Sequence, residues 1–102
     1  MKASRGDVVL LNFPFSDASG SKVRPAIVVQ SDVHNRRMNS TIVVFKLGSP
    51  EGRAAGLHFD SAVACTNLYT VHEDFIQYRI GKLLTSLLPT LDACLRAALG
   101  IS

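Results

Sequence analysis

Arg24 is the residue with the clearest chemical use. It follows a run of small turn-forming residues, Ser16 to Ser21, and precedes Pro25, whose ring fixes the chain direction. A guanidinium held there presents a planar fork of donors that matches two oxygens of a phosphate. Spacing alone reads Arg24 first as a solvated surface arginine and second as an anion-binding group. Lys22, Arg36, Arg37, Lys46 and Arg53 fall in or beside expected loops. Gathered on one face they form a basic rim that tracks a nucleic-acid backbone; scattered, they are solubilising charge. Phe15 and Tyr69 are able to stack on bases, with core packing the first expectation for each. His34, in a polar loop, can exchange a proton near neutral pH, although a plain loop histidine is the simpler reading. Ser16, Ser19 and Ser21 have no G-x-S-x-G context and read as turn residues rather than nucleophiles. His34, His58 and His72 share no metal-ligand spacing, and no glycine-rich phosphate loop or dinucleotide fingerprint occurs.

These side chains need short strands to hold them. Val8 to Phe13 is apolar on both alternating faces apart from Asn12, the pattern of a strand buried on both sides. Pro14 stops it, and the loop 15–22 follows. Arg24-Pro25 opens a second strand through Gln30, with proline at a strand start where a missing N–H is tolerated. The polar stretch 31–40 breaks the pattern, with Asp32, Asn35 and Asn39 as turn formers. A third strand is expected over Thr41 to Leu47, a turn over 48–52, and further short strands over 57–59, 62–65 and 68–71. The period then changes. Leu84, Leu88, Leu91, Leu95 and Leu99 recur at spacings of three and four, an apolar stripe on a helix. Ser86 is its expected N-cap, Pro89 falls in the first turn, Gly100 is the C-terminal glycine, and Asp92 and Arg96 are placed to pair at i, i+4. The fold expected is mostly β, five to seven short strands curled into a small barrel with one C-terminal helix.

Composition sets the outer bounds. A chain of 102 residues is one domain, 1–102, and 47% hydrophobic with 19% charged residues is ordinary globular usage. No apolar run approaches the roughly 18–20 residues of a membrane span. The polar opening, Met1 to Asp7, leaves no room for the apolar segment of a signal peptide before the short run Val8 to Leu11. The expected location is therefore the cytoplasm. The two cysteines, Cys65 and Cys94, are not in a CxxC pair. In a reducing compartment they are expected as buried thiols, with one disulfide as the alternative. A net charge of +3 favours an anionic partner. The residues alone support a small, mildly basic, mostly-β domain able to bind an anion.

One string carries more. Arg5-Gly6-Asp7-Val8-Val9-Leu10, then Phe13-Pro14-Phe15, a Ser/Gly loop, and Lys22-Val23-Arg24-Pro25-Ala26-Ile27-Val28-Val29 resembles the MazF/PemK (Kid-type) toxin family, with its "GD" opening strand and "RPA" strand. Ser61 to Val63 and Leu68 to Val71 resemble later strands of that family. Arg79 to Leu83 and Leu91 to Gly100 resemble its C-terminal helix region. The resemblance covers nearly the whole chain.

It implies an SH3-like curled barrel of the MazF/CcdB type, a homodimer, and the toxin of a type II toxin–antitoxin system. Such toxins cut single-stranded mRNA at short sequences. The 2′-hydroxyl of the RNA attacks, leaving a 2′,3′-cyclic phosphate and a 5′-hydroxyl. No cofactor and no metal are implied, because the substrate brings its own nucleophile. The implied partners are single-stranded RNA and an antitoxin with an acidic, partly disordered segment, and no membrane. Carried over residue by residue, the family's catalytic arginine is Arg24. Its second catalytic hydroxyl aligns with Gly48, and Ser49 stands one step later. Lys22, Arg36, Arg37 and Lys46 would hold RNA, with Phe15, Ser19 and Ser21 in a loop gating the groove and His34 as an acid–base candidate. Gly48 favours a first alternative, a non-catalytic nucleic-acid- or antitoxin-binding module. A gyrase poison on the same barrel is the second alternative, with no large aromatic residue at the chain's end to act as a wedge.

Overall fold

The computed structural model describes residues 2–14, 21–46 and 63–101. Its elements are β1 (Asp7–Pro14), β2 (Ser21–Val28), α1 (Asp32–Arg37), β3 (Ser40–Lys46), β4 (Val63–His72), β5 (Ile76–Lys82) and α2 (Leu88–Leu99), with 3-10 turns at Glu73–Phe75 and Thr85–Leu87. The five strands form one sheet in the order β4-β3-β2-β1-β5, and every neighbouring pair is antiparallel. Among the described residues β4 and β5 are its two edges, so the sheet is open rather than a closed barrel. No described helix is long and apolar enough to cross a membrane.

The central strands are buried on both faces, as the run Val8 to Phe13 predicts. Val9, Leu11, Ala26, Val28, Val43 and Phe45 pack together on one face. Val8, Ile27, Val44 and Leu83 pack on the other, under Leu91 of α2. A strand with core on either side needs apolar residues at successive positions rather than at alternate ones. Leu91 is fully buried, which is why the leucine stripe of α2 faces the sheet there. Towards the ends the stripe leaves the core: Leu84 lies outside the helix and is 64% exposed, and Leu99 is 55% exposed.

Several expectations need correction. The polar stretch after β2 is a short helix, α1, in addition to the one helix foreseen. Ser31 caps it through Oγ, which accepts from Val33 N at 3.2 Å. Asn35, expected in a turn, is buried and seals α1 to the sheet. Its Oδ1 accepts from Gln30 Nε2 (2.8 Å) and Thr41 Oγ1 (2.6 Å), and its Nδ2 donates to Gln30 O (3.0 Å). The strands expected over 62–65 and 68–71 are one strand, β4, which absorbs an irregularity where its register with β3 shifts between Val44 and Lys46. Residues 79–82, likened to the helix region, belong to β5, because they pair with β1: Val9 opposes Arg79 and Val8 opposes Gly81. The helix starts at Leu88 rather than after Ser86, which sits in the preceding 3-10 turn. Pro89 does fall in the first turn, and Gly100 ends the helix at φ 72°, donating to Arg96 O. Pro25 lies inside β2 rather than at its start. It is tolerated because the described β2–β3 pairing begins one residue later, at Ala26. The strand expected over 57–59 lies outside the described residues.

The cysteines are the largest correction. Cys65 on β4 and Cys94 on the sheet-facing side of α2 have Cα atoms 6.0 Å apart and form a disulfide. Sequence gives no reason for thiols 29 residues apart to meet; packing α2 across β4 brings them to bridging distance.

The "GD" of the opening motif proves to be a fastener. Gly6 has φ +93°, a conformation side chains rarely adopt. It lets Gly6 N donate to Val28 O (2.8 Å) while Gly6 O accepts from Leu83 N (2.8 Å). The buried Asp7 carboxylate accepts from Ser4 N (2.9 Å) and Lys82 Nζ (3.1 Å), with Arg79 Nη1 3.5 Å away. Arg5 completes the junction. Its N donates to Asp32 Oδ1 (2.7 Å), its Nε to Val29 O (2.9 Å) and its Nη2 to Asp92 Oδ1 (2.7 Å). Asp92 thus pairs with Arg5 rather than with Arg96.

Candidate functional site

At one end of the sheet β1 finishes at Pro14, β2 begins at Ser21, β3 finishes at Lys46 and β4 begins at Val63. Arg24 is exposed there on β2, opposite the buried Leu11 of β1. It shares strand parity with Ala26 and Val28, so it lies on the sheet face of the cluster containing Val9, Val43 and Phe45. Its cross-strand partner Leu11 is fully buried, whereas Val23 beside it in the chain is half exposed. Lys22 is two residues back along β2, opposite Phe13, and Ser21 is opposite Pro14. Lys46 closes β3, opposite Val63. These four sequence-derived positions share one end of the sheet.

Phe45 and Tyr69 add an aromatic pair to the same face. Their ring centroids are 5.0 Å apart at 72°, an edge-to-face contact. Phe45 is buried, and Tyr69 is 39% exposed. Tyr69, expected first as a core residue, is therefore half in and half out. The signal for this was available in the alternation of β4: Tyr69 shares a face with buried Val71 but stands on a strand that is an edge among the described residues.

The structure does not bring all the predicted residues together. His34, Arg36 and Arg37 sit on α1, exposed, beyond the opposite end of β2. From Arg24 to Val28 alone is roughly 13 Å of strand. The basic residues thus form two groups, one around Arg24 and one on α1. Phe15, Ser19, Gly48, Ser49 and Arg53 lie outside the described residues.

One titratable group at the α1 end is clearly perturbed. The Asp32 carboxyl is held below its ordinary value, chiefly by the backbone N–H of Arg5 and then by the Asn35 amide. Both bonds favour the charged carboxylate.

The architecture is that of a small β-domain, an antiparallel sheet with a helix across one face, and it carries an exposed arginine before an internal proline. Residues 4–99 match the family of PemK-like, MazF-like toxins of type II toxin–antitoxin systems, and the chain belongs to that family. No curated protein sequence matches it. Solved structures share its fold at low identity. An endoribonuclease in complex with its cognate antitoxin from a mycobacterial species is 18% identical with a TM-score of 0.77, covering 98% of this chain and 97% of that one. MazE–MazF from Deinococcus radiodurans is 17% identical with a TM-score of 0.77, covering 100% and 99%. The Mycobacterium tuberculosis toxin MazF-mt6 is 20% identical with a TM-score of 0.70, covering 94% and 98%.

Proposed function

We propose that this toxin is a sequence-selective endoribonuclease that cuts single-stranded mRNA in the cytoplasm, and that Arg24 acts on the scissile phosphate. The observation that carries the reading is the placement of Arg24: the residue that the family's arginine-proline motif marks as catalytic is exposed near the end of the sheet where the loops begin, opposite the buried Leu11 of β1. Solved structures of the same fold are described as endoribonucleases.

The RNA 2′-hydroxyl attacks the adjacent phosphorus, the P–O5′ bond breaks, and the products are a 2′,3′-cyclic phosphate and a 5′-hydroxyl. The phosphorane formed on the way carries extra negative charge. A guanidinium, protonated at any ordinary pH, is suited to stabilise that charge and unsuited to accept the 2′-hydroxyl proton. Ser49 supplies the second hydroxyl donor in place of Gly48, and Lys22 and Lys46 hold flanking phosphates. Water takes the 2′-hydroxyl proton and gives one to the departing 5′ oxygen; His34, Arg36 and Arg37 lie beyond the far end of β2 and meet RNA, where they meet it, away from the scissile bond. The toxin works as a homodimer, and an acidic segment of its antitoxin competes for the basic end of the sheet.

The test is incubation with long RNA of mixed sequence in EDTA, with mapping of the new 5′ ends. Discrete cuts bearing 5′-hydroxyls are expected, with the Arg24→Ala rate lower by about 10²–10³. Ser49→Ala should lower it too. Gly48 favours one second reading, a binding module without catalysis; RNA that is bound but left intact at high protein concentration would establish it.

A further inference from the structure

Tyr69 lies opposite Val43 in the β3–β4 register. Its ring, however, meets Phe45, one row nearer to Arg24. Phe45 in turn lies opposite Ala26, two residues along β2 from Arg24. The Tyr69 ring is therefore in contact with the row of the sheet next to that of Arg24, on the same face. Buried Phe45 holds the ring in an edge-to-face contact, and 39% of the residue stays open to solvent. A ring held in this way loses little further freedom on binding, so it suits a flat partner. By strand geometry the Cα atoms of Arg24 and Tyr69 are roughly 16 Å apart along the sheet. That fits within the roughly 4–16 nucleotides that small β-barrels of the OB type cover on a single strand.

We propose that Tyr69 is a base-stacking residue of the RNA site, a platform on which one unpaired base sits while Arg24 engages a phosphate further along the same strand. The proposal rests on the ribonuclease reading and deepens it, by assigning the aromatic contact that single-strand recognition uses. Stacking tolerates sequence because every base has a π-face, so Tyr69 contributes affinity and register rather than choice of base. Tyr78, the second of the two tyrosines, serves as the internal control. It is 52% exposed on β5 opposite Leu10, whose strand position alternates with Val9 and Leu11, and so lies on the other sheet face.

The chain has no tryptophan, which makes tyrosine emission a direct report. The probe is a pool of short single-stranded RNAs of randomised sequence carrying 2′-O-methyl sugars, which bind but cannot be cut. In Tyr78→Phe, whose only tyrosine is Tyr69, emission is expected to be quenched on titration with the pool. Tyr69→Leu should bind about 5- to 100-fold more weakly. Tyr69→Phe, which keeps the ring, should bind as the wild type does, and thermal melting confirms that each variant is folded. Equal affinity of folded Tyr69→Leu and wild type, or unchanged Tyr69 emission while the pool binds, overturns the assignment and leaves the ribonuclease reading intact. Failure of the wild type to bind any RNA overturns both.

Discussion

Two residues of the opening motif divide its labour. Asp7 is buried and spends its carboxylate on Ser4 N and Lys82, tying the start of β1 to β5. Arg24, the fourth residue of β2, is exposed. Arg5 acts at a third kind of position, joining the N-terminal segment to β2, α1 and α2 through three donors. Its backbone N–H explains the behaviour of Asp32. A carboxyl whose folded pKa lies below its unfolded value adds stability above the unfolded value of about 3.8, and loses it as the pH falls through the folded one. Asp32 carbon chemical shifts followed against pH should therefore titrate below the ordinary aspartate range. Asp32→Asn should flatten the acid limb of the stability curve; an unchanged limb would mean that the Arg5 N–H gives the charged form no preference.

At the scale of elements, α2 is held by Leu91 in the core with Leu88, Leu95 and Ala98 packed half-buried against it, by Asp92 on Arg5, and by Cys94 on Cys65. The disulfide closes a loop of about 30 residues, for which chain entropy gives about 3–4 kcal/mol of stabilisation. Cys94→Ser, or a strong dithiol reductant acting on the wild type, should lower the unfolding free energy by about that amount in urea titration. Amide exchange should rise first along α2, since β1, β2 and β3 keep their ladder and the core face turned away from α2. Uniform loosening of sheet and helix together would show that α2 is more deeply integrated than its single buried leucine indicates. The neighbouring element α1 is fastened differently. Asn35 is bonded to Gln30 and Thr41 in the core rather than packed by apolar side chains, and a buried network of this kind fixes one docking geometry.

At the scale of the molecule, charge is modest but placed. A chain of net charge +3 binds polyanions weakly in general, so the proposed RNA contact calls on the end of the sheet where Lys22, Arg24 and Lys46 stand. If these three positions each engage one phosphate, the logarithm of the RNA association constant should fall against the logarithm of salt concentration with a slope of about −2. A slope near zero would remove the phosphate contacts from the reading. A much steeper one would bring in Arg36 and Arg37 from the α1 end.

The chain alone determined the class of fold, since strands buried on both faces and a leucine stripe of helical period leave little choice of architecture. It also determined the family, through the ordered "GD" and "RPA" positions, and with it Arg24. It misread α1, because Ser31 and Asn35 look like turn formers until a helix is capped by one and sealed by the other. It misread residues 79–82 because strand pairing with β1 is non-local and leaves no period in so short a stretch. Only the tertiary structure decided which basic residues share an end of the sheet, that Cys65 and Cys94 meet, and that the rings of Tyr69 and Phe45 meet on the face of Arg24. Each of these is a distance between residues remote in sequence, fixed by strand register and helix packing, and local residue preference carries no information about such distances.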